Sequence, residues 1–277
     1  MVLKYENKAD YVKATQKFYS SDETLVSGPL KGRELLRILR KIKPKDKKIL
    51  DVGCGFGALI EEVMLIYPRN EFIGVDINKQ IVSEAKKRVK KADFKVRDLE
   101  NLKFKSNSFD VVFCTDTLEH AYNFEKAIRE LSRVLKKDGH LIISIPNYFN
   151  ITGIAKIIME EGGIYAESSF NGFRTAPVEH ENFVTSLKIR KLLKNNKLKI
   201  KHYEGIELLG GIIPFAGLFY TWYLIGKKFK DNSVGRIFFF AIGDLAEVIF
   251  TTVDLFSKYF YPFKLIALHN IYICKKK

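Results

Sequence analysis

Between residues 47 and 147 apolar runs of strand length alternate with segments of helical period, and nothing else in the chain restricts its fold so tightly. The runs KKILDV, EFIGVD, DFKVRD, SFDVVFCT and HLIISIPN read as strands. ALIEEVMLIY, NKQIVSEAKKRVKKA and NFEKAIRELSRVLKKDG read as helices, the last with Gly139 as its expected C-cap. Strands that are apolar throughout need cover on both faces, which is the condition of a parallel sheet. The alternation therefore predicts an α/β, doubly wound, Rossmann-like fold with a mostly parallel sheet. Ligands of such sheets bind beyond the carboxyl ends of the strands.

The flanks divide the rest of the chain. Residues 1–46 read as a basic helical cap, in which Ser27 can cap a helix that takes Pro29 early and runs to Ile42. Lys43-Pro44-Lys45-Asp46 breaks it. After a glycine-containing stretch over 151–180, residues 186–194 read as helical, and LKIKHYEGIEL and KLIALHNIYIC as a sixth and a seventh strand. Residues 47–206 and 263–277 thus form the expected core, with 207–262 an apolar helical insertion. Within it Asp244, Glu247, Asp254 and Thr251 share one helical face, which argues against a membrane span. Gly210-Gly211, Pro214 and Gly217 interrupt the earlier apolar run. Three readings of the insertion remain. It can lie at a membrane interface, with Tyr220, Trp222 and Tyr223 near the polar boundary and Lys227, Lys228, Lys230 and Arg236 against lipid phosphates. It can be a lid or a dimer interface, or it can extend the core.

The formal net charge of +15 is a statement about partners and not about fold. It fits a polyanion or an anionic membrane, and equally a lysine-rich solvated surface. Cys54, Cys114 and Cys274 are far apart, with neither a disulfide framework nor zinc spacing, so no metal is expected. The polar start MVLKYENKADYVK has no apolar signal-peptide region, and the expectation is a cytoplasmic protein.

Asp51-Val52-Gly53-Cys54-Gly55-Phe56-Gly57 stands between a strand and a helix. A turn so tight needs residues that tolerate positive φ, and a ligand there needs close backbone approach. The following helix points its free N–H groups at that ligand. Asp76 ends the second strand, where a carboxylate can accept both hydroxyls of a ribose. The same residues satisfy a dinucleotide-binding pattern, so the turn alone leaves the cofactor open.

The wider pattern decides. ILDVGCGFGALI resembles the first motif of the class I S-adenosylmethionine-dependent methyltransferases, with Asp51 two residues before the first glycine. A carboxylate there suits a cationic, amino-acid-bearing cofactor better than a pyrophosphate. GVDIN resembles the second motif, with Asp76 on the ribose and Ile77 beside it; VRDLENLKF resembles the third, with Asp98 near the adenine amino group and Leu99 along the ring. FDVVFCTDTLEHAYNFEKAIRELSRVLKKDGHLIISIPN resembles the segment that closes the site, where Thr115 ends the fourth strand. The resemblance covers roughly 47–147, with a weaker stretch, EHENFVTSLKIRKLLKNNKLKI, and it implies S-adenosylmethionine held by Asp51, Gly53, Cys54, Gly55, Gly57, Asp76, Ile77, Asp98, Leu99 and Thr115. It also implies a seventh strand inserted antiparallel, the place of KLIALHNIYIC.

Methyl transfer from a sulfonium needs mainly a well-placed acceptor, and a base only if that acceptor must lose a proton. Asp116, Glu119, His120, Tyr148 and His180 are the candidates; His120, in TDTLEH, and His180, in VEHENF, are each balanced against a plain structural or loop role. His140, His202 and His269 fall in strand-like runs and read as structural. After the fourth strand stands Thr115-Asp116-Thr117-Leu118 in place of the Asn-Pro-Pro-aromatic tetrad of family members that methylate exocyclic amines. The expected activity is methylation, by O-transfer, of a small hydrophobic, isoprenoid or lipid-linked acceptor in a group resembling the ubiquinone-type O-methyltransferases. A peripheral position on the inner membrane face and a homodimer fit that reading. An RNA or other nucleic-acid methyltransferase, or a catalytically silent binding protein on the same fold, are the alternatives.

Overall fold

The computed structural model describes residues 7–10, 29–151, 153–154, 157, 182–206, 261–267 and 269–277. Seven strands form one sheet: β1 (Lys48–Val52), β2 (Glu71–Asp76), β3 (Asp93–Val96), β4 (Phe109–Thr115), β5 (Leu135–Pro146), β6 (Leu198–Ile206) and β7 (His269–Lys276). Their spatial order is β3-β2-β1-β4-β5-β7-β6, and β7 runs antiparallel. β1 lies between β2 and β4, parallel to both, with Asp51 beside Gly74 and Phe113. The order reverses at β1/β4, and at such a switch point the strand ends leave a crevice. The fold is the doubly wound, mostly parallel α/β sheet expected from the alternation.

The helices are α1 (Pro29–Ile42), α2 (Ala58–Ile66), α3 (Lys79–Arg88), α4 (Phe124–Val134), α5 (Ser186–Asn195) and α6 (Tyr261–Ile266). Pro29 opens α1 as expected, and Lys43, at φ 46, turns the chain out of it. Asn78, Asn123 and Thr185 cap α3, α4 and α5 by accepting backbone N–H groups of the first turn. Leu35, Ile38 and Leu39 of α1, and Ala127, Ile128, Leu131 and Val134 of α4, are buried. Cys114 and Cys274 are buried in β4 and β7.

Two expectations are corrected. α4 does not run to Gly139: it ends at Val134, and Leu135 enters β5 by pairing with Phe109. The next pair is Val111 with His140, so the intervening residues of β5 bulge, with Asp138 at φ 62. Gly139 serves close packing inside the strand, where a Cβ would stand 2.9 Å from the Lys136 oxygen and 3.0 Å from that of Asp110. The run KLIALHNIYIC is likewise not strand throughout. Lys264, Leu265 and Ile266 close α6, and β7 begins only at His269. Packing explains the helix: Gly205 of β6 accepts the Lys264 backbone where a Cβ would collide, and the Lys264 ammonium pairs with Glu204 at 2.7 Å.

The chain forms two compact units, one of Met1–Ile145, Val178–Tyr203 and Ile271–Lys277, the other of Pro146–Pro177 and Glu204–Asn270. In the second, Asn147 donates to the carbonyls of Leu265 and Ala267, both at 2.8 Å. Asn150 donates to Asn147 and Ala267 and accepts the Gly153 N–H. This network fixes the chain just beyond β5, where Phe149, Ile151 and Ile154 stay exposed. Apart from the start of α6, the insertion over 207–262 lies outside the described residues. Among the described residues no helix is long and apolar enough to cross a membrane.

Candidate cofactor site

The site lies within the first unit. The chain leaves β1 through Gly53, Gly55 and Gly57, at φ 73, 50 and 80. All three conformations are ones that a side chain strains, which is why glycine recurs. At Gly53 there is a second reason: a Cβ would run into the Thr117 side chain, which folds in from the end of β4. The N–H groups of Gly53 and Cys54 donate to the Val75 carbonyl at 2.8 and 3.0 Å, tying the turn to β2. Gly57 then starts α2, and no side chain caps that helix among the described residues, unlike α3, α4 and α5. Its free N–H groups form a partial positive charge beside the turn.

Asp76, at the end of β2, closes the turn from the other side. One carboxylate oxygen accepts the Gly55 N–H at 3.1 Å and the other the Asn78 N–H at 2.9 Å. Burial pushes its pKa up; the N–H groups of Asn78, Gly55 and Ile77 oppose that rise. Ile77 thus contributes through its backbone.

Asp51 is the most informative residue of the site. It is 2% exposed, and its Oδ1 has no hydrogen-bond partner among the described residues. Burial, with the Asp76 charge in support, raises its pKa to about 7. A buried carboxylate with one oxygen unsatisfied, beside a second carboxylate, is costly for a fold and suits a cationic partner. Cys54 shares this environment; burial, then the two acids, hold its thiol well above the usual range, so it is an inert wall.

Asp98 follows β3, where its carboxylate accepts the Glu100 N–H at 2.9 Å and the Lys8 ammonium at 2.6 Å. Leu99 is half-buried beside it. Thr115 ends β4 paired with Ser144, and its carbonyl accepts the Thr117 hydroxyl. Asp116 takes φ 47, donates its N–H to the Ser144 carbonyl at 3.0 Å and accepts the Ser144 hydroxyl at 2.9 Å. His120 ends a 3₁₀ turn, Leu118–His120, with its Nε2 4.0 Å from a Glu119 oxygen. Asn182 donates to the carbonyls of Glu119 and Ala121, which fixes that turn. His180, two residues earlier in the chain, lies outside the described residues. Tyr148 belongs to the second unit, where it is buried. Of the three remaining histidines, His140 is pushed below the ordinary imidazole range, first by burial, and His202 meets an Arg37 nitrogen at 3.3 Å.

The geometry therefore gathers the glycine turn, Asp51, Asp76 and Asp116 around the carboxyl ends of β1, β2 and β4. Thr117, Ser144, Asn182 and Lys8 are not among the residues that the sequence singles out. Thr117 carries one signal, its place two residues past a strand end, and the other three carry none.

A glycine turn under a bare helix start, flanked by two strand-end carboxylates, is an arrangement suited to a nucleoside-type ligand that carries positive charge. The methyltransferase domain family matches over residues 50–143. The ubiquinone biosynthesis O-methyltransferase of Pelagibacter ubique is 30% identical over 206 residues, covering 71% of this chain and 78% of that protein. The malonyl-[acyl-carrier protein] O-methyltransferase of Legionella pneumophila is 28% identical over 116 residues, 41% of each chain. The chain spans between 41% and 59% of the length of three such curated relatives. Phosphoethanolamine N-methyltransferase 2 of Haemonchus contortus, solved with S-adenosyl-L-methionine, shares the fold at TM-score 0.57 and 16% identity, covering 96% of this chain and 56% of that one. This chain belongs to the class I S-adenosylmethionine-dependent methyltransferase family.

The residues present suit the family's cofactor. Its ammonium and sulfonium bring the positive charge that Asp51 lacks, and its ribose hydroxyls are donors of the kind Asp76 can accept.

Proposed function

We propose that the chain transfers the methyl group of S-adenosylmethionine to the oxygen of a small hydrophobic acceptor, of isoprenoid, quinone-like or lipid-linked type. The observation that carries the methyltransferase part is Asp51, buried beside Asp76 and with an oxygen that has no hydrogen-bond partner among the described residues. Bound S-adenosylmethionine supplies an activated methyl group on a sulfonium. Asp51 and Asp76 orient its charged and ribose ends, while the glycine turn lets the backbone approach. If the acceptor is an alcohol or phenol, a side chain must take its proton. Asp116, held by Ser144, His120 on its pinned turn, and His180 are the candidates.

Support for an apolar acceptor is of two kinds. The Pelagibacter relative is named for ubiquinone biosynthesis. In the second unit Phe149, Ile151 and Ile154, soon after β5, are 64%, 56% and 51% exposed, beside a network of buried asparagines. Exposed apolar side chains clustered in this way fit a surface that meets an apolar ligand. A cytoplasmic protein at the inner face of the membrane, as a monomer or homodimer, fits such an acceptor.

The test is transfer of a labelled methyl group from S-adenosylmethionine into an extract of the source cells, followed by organic–aqueous partition. The expected result is label in the organic phase that survives saponification, as a methyl ether does and a methyl ester does not. Label in ribonuclease-sensitive aqueous material would overturn the acceptor class in favour of a nucleic acid, and no transfer to any fraction would favour a silent binding protein.

A further inference from the structure

We infer that Lys8 is a positioning residue for the adenine end of the cofactor, acting through Asp98. The inference rests on the cofactor-site reading above. Lys8 stands far from Asp98 in sequence, yet its ammonium lies 2.6 Å from Asp98 Oδ2 and 2.8 Å from Glu100 Oε2. The two carboxylates differ in what else they can do. Glu100 has a side chain only 3% exposed, and its other oxygen accepts the Asn123 N–H at 2.9 Å, so it is committed to the start of α4. Asp98 is about a third exposed at the carboxyl end of β3, and it retains lone pairs for a further donor.

Without a cation between them these carboxylates repel, and the exposed one swings away. Lys8 removes that repulsion and sets Asp98 in one orientation, with the Glu100 N–H on its Oδ1 as a second restraint. Lys8 is itself aimed by its neighbours: Asn7 accepts the Asp10 N–H at 3.1 Å and donates to the Asp10 carboxylate at 2.7 Å, a reciprocal cap on the turn that holds Lys8. Burial alone would lower the Lys8 pKa, but its bonds to Asp98 and Glu100 raise it, so the cation persists at neutral pH. A carboxylate fixed in this way favours a purine that offers an exocyclic amine and disfavours one that does not.

The test is calorimetric titration with two probes, adenosylhomocysteine and its analogue carrying hydrogen in place of the purine 6-amino group. In the unaltered protein the missing amine is expected to cost about tenfold in affinity, the scale of one hydrogen bond to a charged group. Lys8→Met is expected to weaken adenosylhomocysteine about fivefold to tenfold and to leave the analogue nearly unchanged, so that discrimination collapses. Lys8→Arg, which keeps the charge, is expected to restore most of it. Equal weakening of both probes, or of neither, overturns the role of Lys8. Asp76→Ala serves as the control for the site: it should abolish binding of both probes, and full binding there would sink the cofactor-site reading itself.

Discussion

Asp51 and Asp110 are the same residue type in neighbouring parallel strands, and the fold treats them oppositely. Asp110 sits near the start of β4, at the amino edge of the sheet. There it accepts the Lys48 N–H at 3.0 Å and the Lys136 ammonium at 2.8 Å. Burial works against its charge, but these partners hold its pKa below the ordinary carboxylate range. Asp51 lies near the carboxyl edge, with an orphaned oxygen and a pKa raised to about 7. The edges differ as wholes in the same sense. At the amino edge Lys276 donates to the carbonyls of Ser132 and Leu135 and to Asn107, and Asn70 accepts the Lys47 N–H. One edge is finished; the other keeps a buried carboxylate oxygen with no hydrogen-bond partner among the described residues. Unsatisfied groups that a fold retains at a cost mark where it works.

The largest expected effect follows from Asp51. A carboxyl whose folded pKa is raised binds its proton more tightly folded than unfolded, so stability falls as pH rises from the ordinary carboxylate range to about 7. The full loss is at most about 4 kcal/mol, since each tenfold gain in proton affinity on folding is worth about 1.4 kcal/mol. Asp51→Asn should flatten this slope and leave the cofactor-free protein more stable at about pH 8 than the unaltered one, while weakening adenosylhomocysteine binding. Urea unfolding from the ordinary carboxylate range to that pH measures it. A variant as steeply pH-dependent as its parent would mean that Asp51 is paired in solution and would erase the contrast with Asp110.

Gly53→Ala should come next, at about 3 kcal/mol, from the cost of a side chain at φ 73 plus the collision with Thr117. Gly53→Ala combined with Thr117→Gly should recover the collision part and not the backbone part. Thermal unfolding of both variants separates the two; no recovery would mean that Thr117 does not fill that space.

The sequence is legible where one stretch of chain settles the outcome. EFIGVD is β2 from end to end, because its apolar run is bounded by a charged start and by Asp76. The glycine turn is legible because positive φ leaves few choices of residue. LKKDG misleads because Leu135, Lys136 and Lys137 favour helix and Gly139 suits a C-cap, while Leu135 gains more by pairing with Phe109 across the sheet. KLI misleads for the converse reason, an apolar stretch that suits a strand but packs as the last turn of α6. At the site, sequence identifies the acids and not their states. That Asp51 has an orphaned oxygen, while Asp98 has a partner in Lys8, depends on which distant side chains arrive, and no spacing encodes it.

The smallest effect belongs to the finished edge. Asp110→Asn keeps the shape and an acceptor for the Lys48 N–H but removes the charge that meets Lys136 and Lys47. A loss of about 1 kcal/mol is expected, since the pair is partly solvated and screened. Because the folded pKa of Asp110 is depressed, its contribution is present above the ordinary carboxylate range and vanishes as pH falls through the folded value. The variant and its parent should therefore converge at pH values below the ordinary carboxylate range, and cofactor affinity should be the same in both. A change in affinity here would show that the two edges are coupled through β1 and β4, and the division between a structural edge and a working edge would have to be abandoned.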